Sequence, residues 1–259
     1  MLLVLDVGNT NITAGIYKKE KLVTTFRISS KSSKTSDEYG LLLSQFLAAQ
    51  NIEICDIYGA AIASVVPNIM HSLISSIKKV FNFAPLIVGT GVKTGIKVLI
   101  QNPKSVGADR IADAVAAFES YKGPAIVVDF GTGTTYDLIG EDGSFMAGVT
   151  APGLRVSAES LWENTARLPE IEIKAPKSIL AKETIESMRA GIVYGQIGQM
   201  EYIVKKMREE ANLPNAKVVI TGGIGRLVAD GCGIDVEYNR YLTLEGIRLI
   251  YEKNKNEVS

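Results

Sequence analysis

The chain has 259 residues, with 28 Lys and Arg against 28 Asp and Glu and a formal net charge of +0. That length suits one large domain or two of ordinary size, and a hydrophobic share of 46% marks an ordinary globular protein. No cation excess exists to displace phosphate counterions, which argues against a polyanion-binding protein. Cys55 and Cys232 are the only cysteines and His71 the only histidine, so a disulfide scaffold, a Cys₄ zinc site and multi-histidine metal sites are excluded. Met1 to Val7 is apolar, but Asp6 interrupts it and no basic region precedes it, unlike a signal peptide. No apolar run approaches the roughly 18–20 residues that span a bilayer. A cytoplasmic protein is expected.

The elements follow in chain order. Leu2 to Leu5 is an apolar strand, and Asp6 to Asn11 is a turn by composition. Ile12 to Tyr17, a polar turn at Lys18-Lys19-Glu20 and Leu22 to Ile28 complete a three-strand meander. Ser29 to Ser36 reads as a Ser/Lys-rich mobile connection. Asp37 to Ala49 carries Leu42, Leu43, Phe46 and Leu47 at helical spacing. Ile57 to Val66 is a buried strand, Pro67 opens a helix to Phe81 that carries His71 on an amphipathic stretch, and Leu86 to Val88 is a short strand before a glycine-punctuated loop at Gly89 to Gly95. Ile111 to Tyr121 is helical. Ala125 to Val128, Tyr136 to Ile139 and Ser144 to Val149 read as strands, Ile185 to Glu209 as a long helix, Lys217 to Thr221 as a strand and Leu244 to Lys253 as a final helix.

Two stretches repeat one plan. Leu-Val-Leu-Asp-Val-Gly-Asn-Thr, centred on Asp6, matches Ile-Val-Val-Asp-Phe-Gly-Thr-Gly, centred on Asp129, with an offset of 129 − 6 = 123 residues. Each is an apolar strand, an Asp, one residue, a Gly and then small polar residues. The pattern reads as an internal duplication and predicts two similar α/β lobes facing one another. The expected lobes are 1–120 and 121–259, with room for the final helix to pack back on the first.

Asp6-Val7-Gly8-Asn9-Thr10 suits either a plain hairpin turn or a phosphate cradle, in which glycine lets backbone amides approach phosphate oxygens. Asp6 at the strand end is suited to hold a phosphate-bound Mg²⁺ through water. Asp129-Phe130-Gly131-Thr132-Gly133-Thr134-Thr135 favours the cradle, since it supplies amides and hydroxyls and almost no charge. Gly222-Gly223-Ile224-Gly225 suits a tight turn or a flat ring lying on the backbone. The P-loop and dinucleotide fingerprints are missing: Val92-Lys93-Thr94 lacks a glycine before its lysine, and Tyr136 stands where a third glycine belongs. Gly107-Ala108-Asp109-Arg110 opens a helix. Asp109 there either complements the helix dipole or serves as a base beside a guanidinium, a pair suited to phosphoryl transfer to a hydroxyl. Thr184 reads as a helix N-cap or a substrate contact, and Trp162 as packing. Gly191, Gly195 and Gly198 share one helix face, at roughly 1 kcal/mol each against Ala, which predicts close approach of another backbone.

The sequence resembles the type III pantothenate kinases, of the acetate kinase, sugar kinase and actin-like superfamily, essentially end to end. The resemblance rests on Asp6 to Thr10, on Asn102-Pro103 with Val106 to Arg110, on Asp129 to Thr135, on Gly148 to Gly153, on Thr184 with Ser187-Met188 and Gly191, and on Thr221-Gly222-Gly223. It implies two ribonuclease-H-like lobes with mixed sheets flanked by helices and ATP between them. It implies ATP-dependent phosphorylation of pantothenate to 4'-phosphopantothenate, the first step of coenzyme A biosynthesis. The alternatives are a non-catalytic nucleotide-binding regulator of the same fold and a kinase for another small hydroxy acid. By the same resemblance Asp6, Val7, Gly8, Asn9, Thr10, Asn11, Ile12, Thr13 and Thr132 contact ATP. Gly107, Ala108, Asp109, Arg110 and Thr184 contact pantothenate, with Asp109 as proton acceptor. Asp129 binds a monovalent cation, K⁺ or NH₄⁺, beside Mg²⁺, and the family is homodimeric with its substrate pocket near the dimer interface. One position departs from the family: a tyrosine that often precedes the Asn-Pro by two residues is Ile100 here.

Overall fold

In the computed structural model, which describes residues 1–255, Leu2–Val7 forms strand β1, with every side chain buried but that of Asp6. It is flanked on one side by antiparallel β2 (Asn11–Lys18) and on the other by parallel β4 (Gly59–Ser64). With β3 (Lys21–Ser29) and β5 (Leu86–Ile87) the sheet order is β3-β2-β1-β4-β5. A central strand with neighbours on both edges and cover on both faces reads as the continuous apolar run seen in its sequence. Helices α1 (Ser36–Ala49) and α2 (Pro67–Phe81) bury Tyr39, Leu43, Leu47, Ile69, Leu73 and Ile77 against Leu3, Leu5, Val7, Ile12 and Ile16. α1 starts with a capping box, in which Thr35 Oγ1 accepts the Glu38 N–H and Glu38 Oε2 accepts the Thr35 N–H.

The chain divides into two compact units. The first takes residues 1–96, residues 101–116 and the C-terminal helix α7 (Leu242–Asn254). Helix α3 (Ala108–Tyr121) begins in it. α7 covers the second face of the first sheet: Leu244 packs beside Gly15, and Gly246 lies so close to Ala112 that a Cβ there would overlap the Ala112 carbonyl. Asn254, buried at the end of α7, donates from Nδ2 to the Lys93 carbonyl at 2.8 Å and accepts the Lys93 N–H at 3.0 Å, which pins the glycine-punctuated loop.

The second unit takes residues 97–100 and 117–241. Its sheet joins β6 (Ala125–Phe130), β7 (Gly133–Ile139), β8 (Phe145–Pro152), β9 (Lys217–Thr221) and β10 (Glu237–Tyr238) in the order β10-β9-β6-β7-β8. Strand for strand this is the plan of the first sheet: a central strand with an antiparallel neighbour inside a hairpin and a parallel neighbour reached by a crossover. The duplication legible at Asp6 and Asp129 thus extends over both sheets. The fold is the predicted pair of duplicated α/β lobes. Helix α5 (Thr184–Glu210) lays Val193, Ile197, Met200 and Val204 on Ile126, Val128, Tyr136 and Leu138, with α4 (Leu154–Glu163) and α6 (Gly225–Ala229) completing the layer.

Several elements differ from expectation. β7 begins at Gly133 rather than Tyr136, because Gly133-Thr134-Thr135 pairs with both β6 and β8. Ser30, expected in a mobile connection, is buried. Thr184 is the first residue of α5 and the N-cap is Glu183, so the N-cap reading of Thr184 fails. A Cβ added at Gly191, Gly195 or Gly198 meets no atom within 4 Å, so among the described residues no backbone of this chain packs on that stripe.

Candidate functional site

The first turn hangs from the C-terminal end of β1. Asp6 pairs with Thr13 and Ala63, and Val7 with Ile12 and Ser64. The Gly8 N–H donates to the Asn11 carbonyl at 3.0 Å, closing the turn. Val7 and Ile12 have fully buried side chains in the core, so they offer only main-chain atoms to a ligand. Asn9 and Asn11 are exposed, and Asp6, Gly8, Thr10 and Thr13 are half-buried.

Asp109 lies at this same strand end. The Val65 N–H donates to the Val7 carbonyl at 3.1 Å, and Val65 Cγ1 lies 3.2 Å from where a Gly107 Cβ would stand. That Cβ would collide with Asp109 Oδ1, so glycine at 107 leaves the carboxylate its place. Asp109 Oδ1 accepts the Arg110 N–H at 2.8 Å, which fixes the carboxylate's orientation at the helix start. Turn and carboxylate therefore meet outside the carboxyl ends of β1 and β4, the edge where open α/β sheets bind ligands.

The second unit repeats the arrangement. Asp129, the penultimate residue of β6, pairs with Thr135 and Thr221. The Gly131 N–H donates to the Gly133 carbonyl at 3.1 Å, and Thr132 is exposed at the tip. Gly222, at φ +90°, faces two oxygens: an added Cβ would stand 2.7 Å from Asp129 Oδ1 and 2.5 Å from the Phe130 carbonyl oxygen. At Gly153 a Cβ would overlap the Thr132 carbonyl and stand 2.6 Å from that of Gly131. Both glycines are thus required by close backbone approach. The steric parts that Gly107, Gly153 and Gly222 play are invisible in sequence.

Thr184 is exposed at the start of α5. The chain before it is tied to the helix: Glu186 accepts from Arg189 Nη1 at 2.7 Å and from the Lys177 N–H, and Arg189 Nε donates to the Glu172 carbonyl. These hydrogen bonds, led by that from Arg189, hold the Glu186 carboxyl below its usual range. Ile100 follows a short segment whose Leu99 N–H donates to the Phe145 carbonyl at 2.9 Å. A cavity of about 660 Å³ in the second unit, lined by Gly198, Tyr202, Arg208 and Ile234 among others, contains none of the predicted site residues.

A family model for type III pantothenate kinases matches residues 2–206. A type III pantothenate kinase from Agathobacter rectalis is 55% identical over 258 residues, which cover 99% of each chain. The chain belongs to the type III pantothenate kinase family. Among solved structures, a protein described as a Baf family transcriptional activator from Campylobacter jejuni superposes with TM-score 0.61 at 18% identity, over 98% of this chain and 99% of that one. An activator of 2-hydroxyisocaproyl-CoA dehydratase from Clostridium difficile, with bound ADPNP, gives 0.59 at 15%, over 99% and 96%. At these identities the likeness concerns the fold alone, the actin-like and sugar-kinase architecture.

Proposed function

We infer that this chain transfers the γ-phosphoryl group of ATP to the primary hydroxyl of pantothenate, giving 4'-phosphopantothenate and ADP at the first step toward coenzyme A. Membership of the family over the whole chain carries the reading, and the site is consistent with it. Asp109 takes the hydroxyl proton as the oxygen attacks phosphorus, and the bond to the ADP oxygen breaks. Arg110 balances charge on the transferred group or on the pantothenate carboxylate. Gly107, Ala108 and Thr184 contact pantothenate, and the backbone of Asp6 to Thr13 and the Thr132 side chain contact ATP. The test is pantothenate-dependent ADP release, measured against a panel of other hydroxy acids. Equal turnover with an unrelated hydroxy acid refutes the substrate assignment.

The donor set fits hard cations. Asp6, half-buried at a strand end, would hold an ATP-bound Mg²⁺ through water. Asp129 Oδ1 and the Phe130 carbonyl oxygen crowd around Gly222 and suit K⁺ or NH₄⁺. Such cations supply counter-charge to the phosphates. Gly107→Ala provides a separate check on Asp109. Its Cβ displaces a side-chain carboxylate, which can rotate, so thermal stability should stay near wild type while turnover falls about 10²-fold, the usual consequence of misplacing a reacting group by about 1 Å. Unchanged kcat in this variant removes Asp109 from the reacting position.

The assembly we propose is a cytoplasmic homodimer. Among the described residues no helix is long and apolar enough to cross a membrane. The face of α5 with Gly191, Gly195 and Gly198 is exposed and flanked by exposed Tyr194 and Tyr202, which supports a second copy packing there. Gly195→Leu should then split the dimer and weaken pantothenate binding together, because a bulky side chain separates backbones in contact. Light scattering that shows an unchanged dimer with unchanged kinetics refutes this placement.

A further inference from the structure

We propose that Ser30 is a positioning residue that holds the first turn in its ATP-binding shape. The inference rests on the kinase reading above. Ser30 follows β3 and is only 8% exposed. It reaches back 22 residues: its Oγ donates to the Gly8 carbonyl at 2.7 Å, and its N–H donates to the Thr10 carbonyl at 3.1 Å. One residue thus grips carbonyls on both sides of Asn9. A trans peptide is planar, so turning the Gly8 carbonyl toward Ser30 turns the Asn9 N–H the opposite way, out of the turn. The same bond draws the Gly8 carbonyl oxygen, a partial negative charge, away from any phosphate held by that amide.

The second unit carries the same device in another form. The Gly153 N–H donates to the Thr132 carbonyl at 3.2 Å, the counterpart of the Ser30 N–H to Thr10 bond. The two positions are 153 − 30 = 123 residues apart, the offset that separates Asp129 from Asp6. At Gly153 a Cβ would stand 2.6 Å from the carbonyl oxygen of Gly131, the counterpart of Gly8. In the second unit the strand end therefore presses its own backbone on the turn. In the first unit the turn has one residue more, since Ile12 rather than the residue before it pairs with Val7, whereas Thr134 pairs with Phe130. The serine hydroxyl spans the wider gap that results. Sequence alone leaves Ser30 among seven neighbouring polar residues, and only the duplication offset singles it out.

Calorimetric ATP binding with Mg²⁺ and without pantothenate tests this, alongside pantothenate-dependent ADP release and thermal melting. Ser30→Ala should raise the Kd and KM for ATP about tenfold, the usual effect of leaving a half-buried carbonyl without its donor. Its KM for pantothenate should stay within about twofold of wild type, since a loss confined to one ligand's site leaves the other's binding term unchanged. Ser30→Thr, which keeps the hydroxyl, should restore ATP binding. Ser30→Gly, the residue the second unit uses, should behave as Ser30→Ala and serves in its place if that variant melts early. ATP binding unchanged in folded Ser30→Ala or Ser30→Gly overturns the proposal, as does an equal rise in both KM values or a Ser30→Thr as weak as Ser30→Ala. A wild type that binds no ATP overturns instead the kinase reading on which it rests.

Discussion

Asp109→Asn is expected to lower turnover by about 10²–10⁴-fold, the range for loss of a positioned base, with ATP binding near wild type. Asparagine has the same shape, and its amide oxygen can still accept the Arg110 N–H that Asp109 Oδ1 accepts at 2.8 Å. The negative charge is lost, and with it the capacity to take a proton. A carboxylate whose role was merely to complement the helix dipole would contribute about 0.3–1 kcal/mol of stability and little to kcat. The two roles therefore separate cleanly. Single-turnover kinetics should show the chemical step itself slowed, and calorimetry should show nucleotide affinity preserved. Near-normal turnover in a folded Asp109→Asn protein refutes the assignment and returns Asp109 to the helix start as a structural residue.

What could be read from the sequence follows from what kind of force fixes each feature. Leu2–Val7 and Ala125–Phe130 are central strands covered on both faces, so burial alone writes them as apolar runs, and their penultimate residues, Asp6 and Asp129, stand out against that background. β7 was harder. Gly133-Thr134-Thr135 has turn-like composition, and it is strand because Asp129 and Thr150 pair on its two sides, a constraint from residues distant in sequence. α4 escaped the reading because only Leu154 and Ala158 of its ten residues are buried, too few for a clear period. The glycine stripe of α5 points outside the chain. Its helical spacing is real, yet nothing among the described residues of the chain rests on it. Motif and duplication gave Asp109 and both turns. The contacts that set their geometry, Ser30 on Gly8, Gly107 beside Asp109 and Gly222 beside Asp129, depend on side-chain and backbone approach that no local pattern encodes.

Asp129→Ala should remove most activity and, with it, the response to potassium. Neither proposed phosphate turn contains a lysine, so the two turns would offer ATP neutral donors only. One Mg²⁺ leaves part of the nucleotide's charge unmatched, and a carboxylate at the end of β6 would by itself repel phosphate. The proposed cation would turn that liability into an advantage. Gly222, at φ +90°, leaves room beside the Phe130 carbonyl oxygen and Asp129 Oδ1, since a Cβ there would stand 2.5 Å and 2.7 Å from the two oxygens. The Gly222 carbonyl is held in turn by the Tyr238 hydroxyl, which donates to it at 3.1 Å. Oxygen ligands of this kind suit a weakly hydrated monovalent ion, which sheds its water more readily than sodium does. Activity should therefore rise with potassium or ammonium, and sodium should substitute poorly. The measurement is a potassium titration at fixed ionic strength and saturating Mg²⁺, run on wild type and on Asp129→Ala. A flat wild-type response excludes a monovalent site at Asp129. A potassium response that survives in Asp129→Ala moves the cation to another set of oxygens.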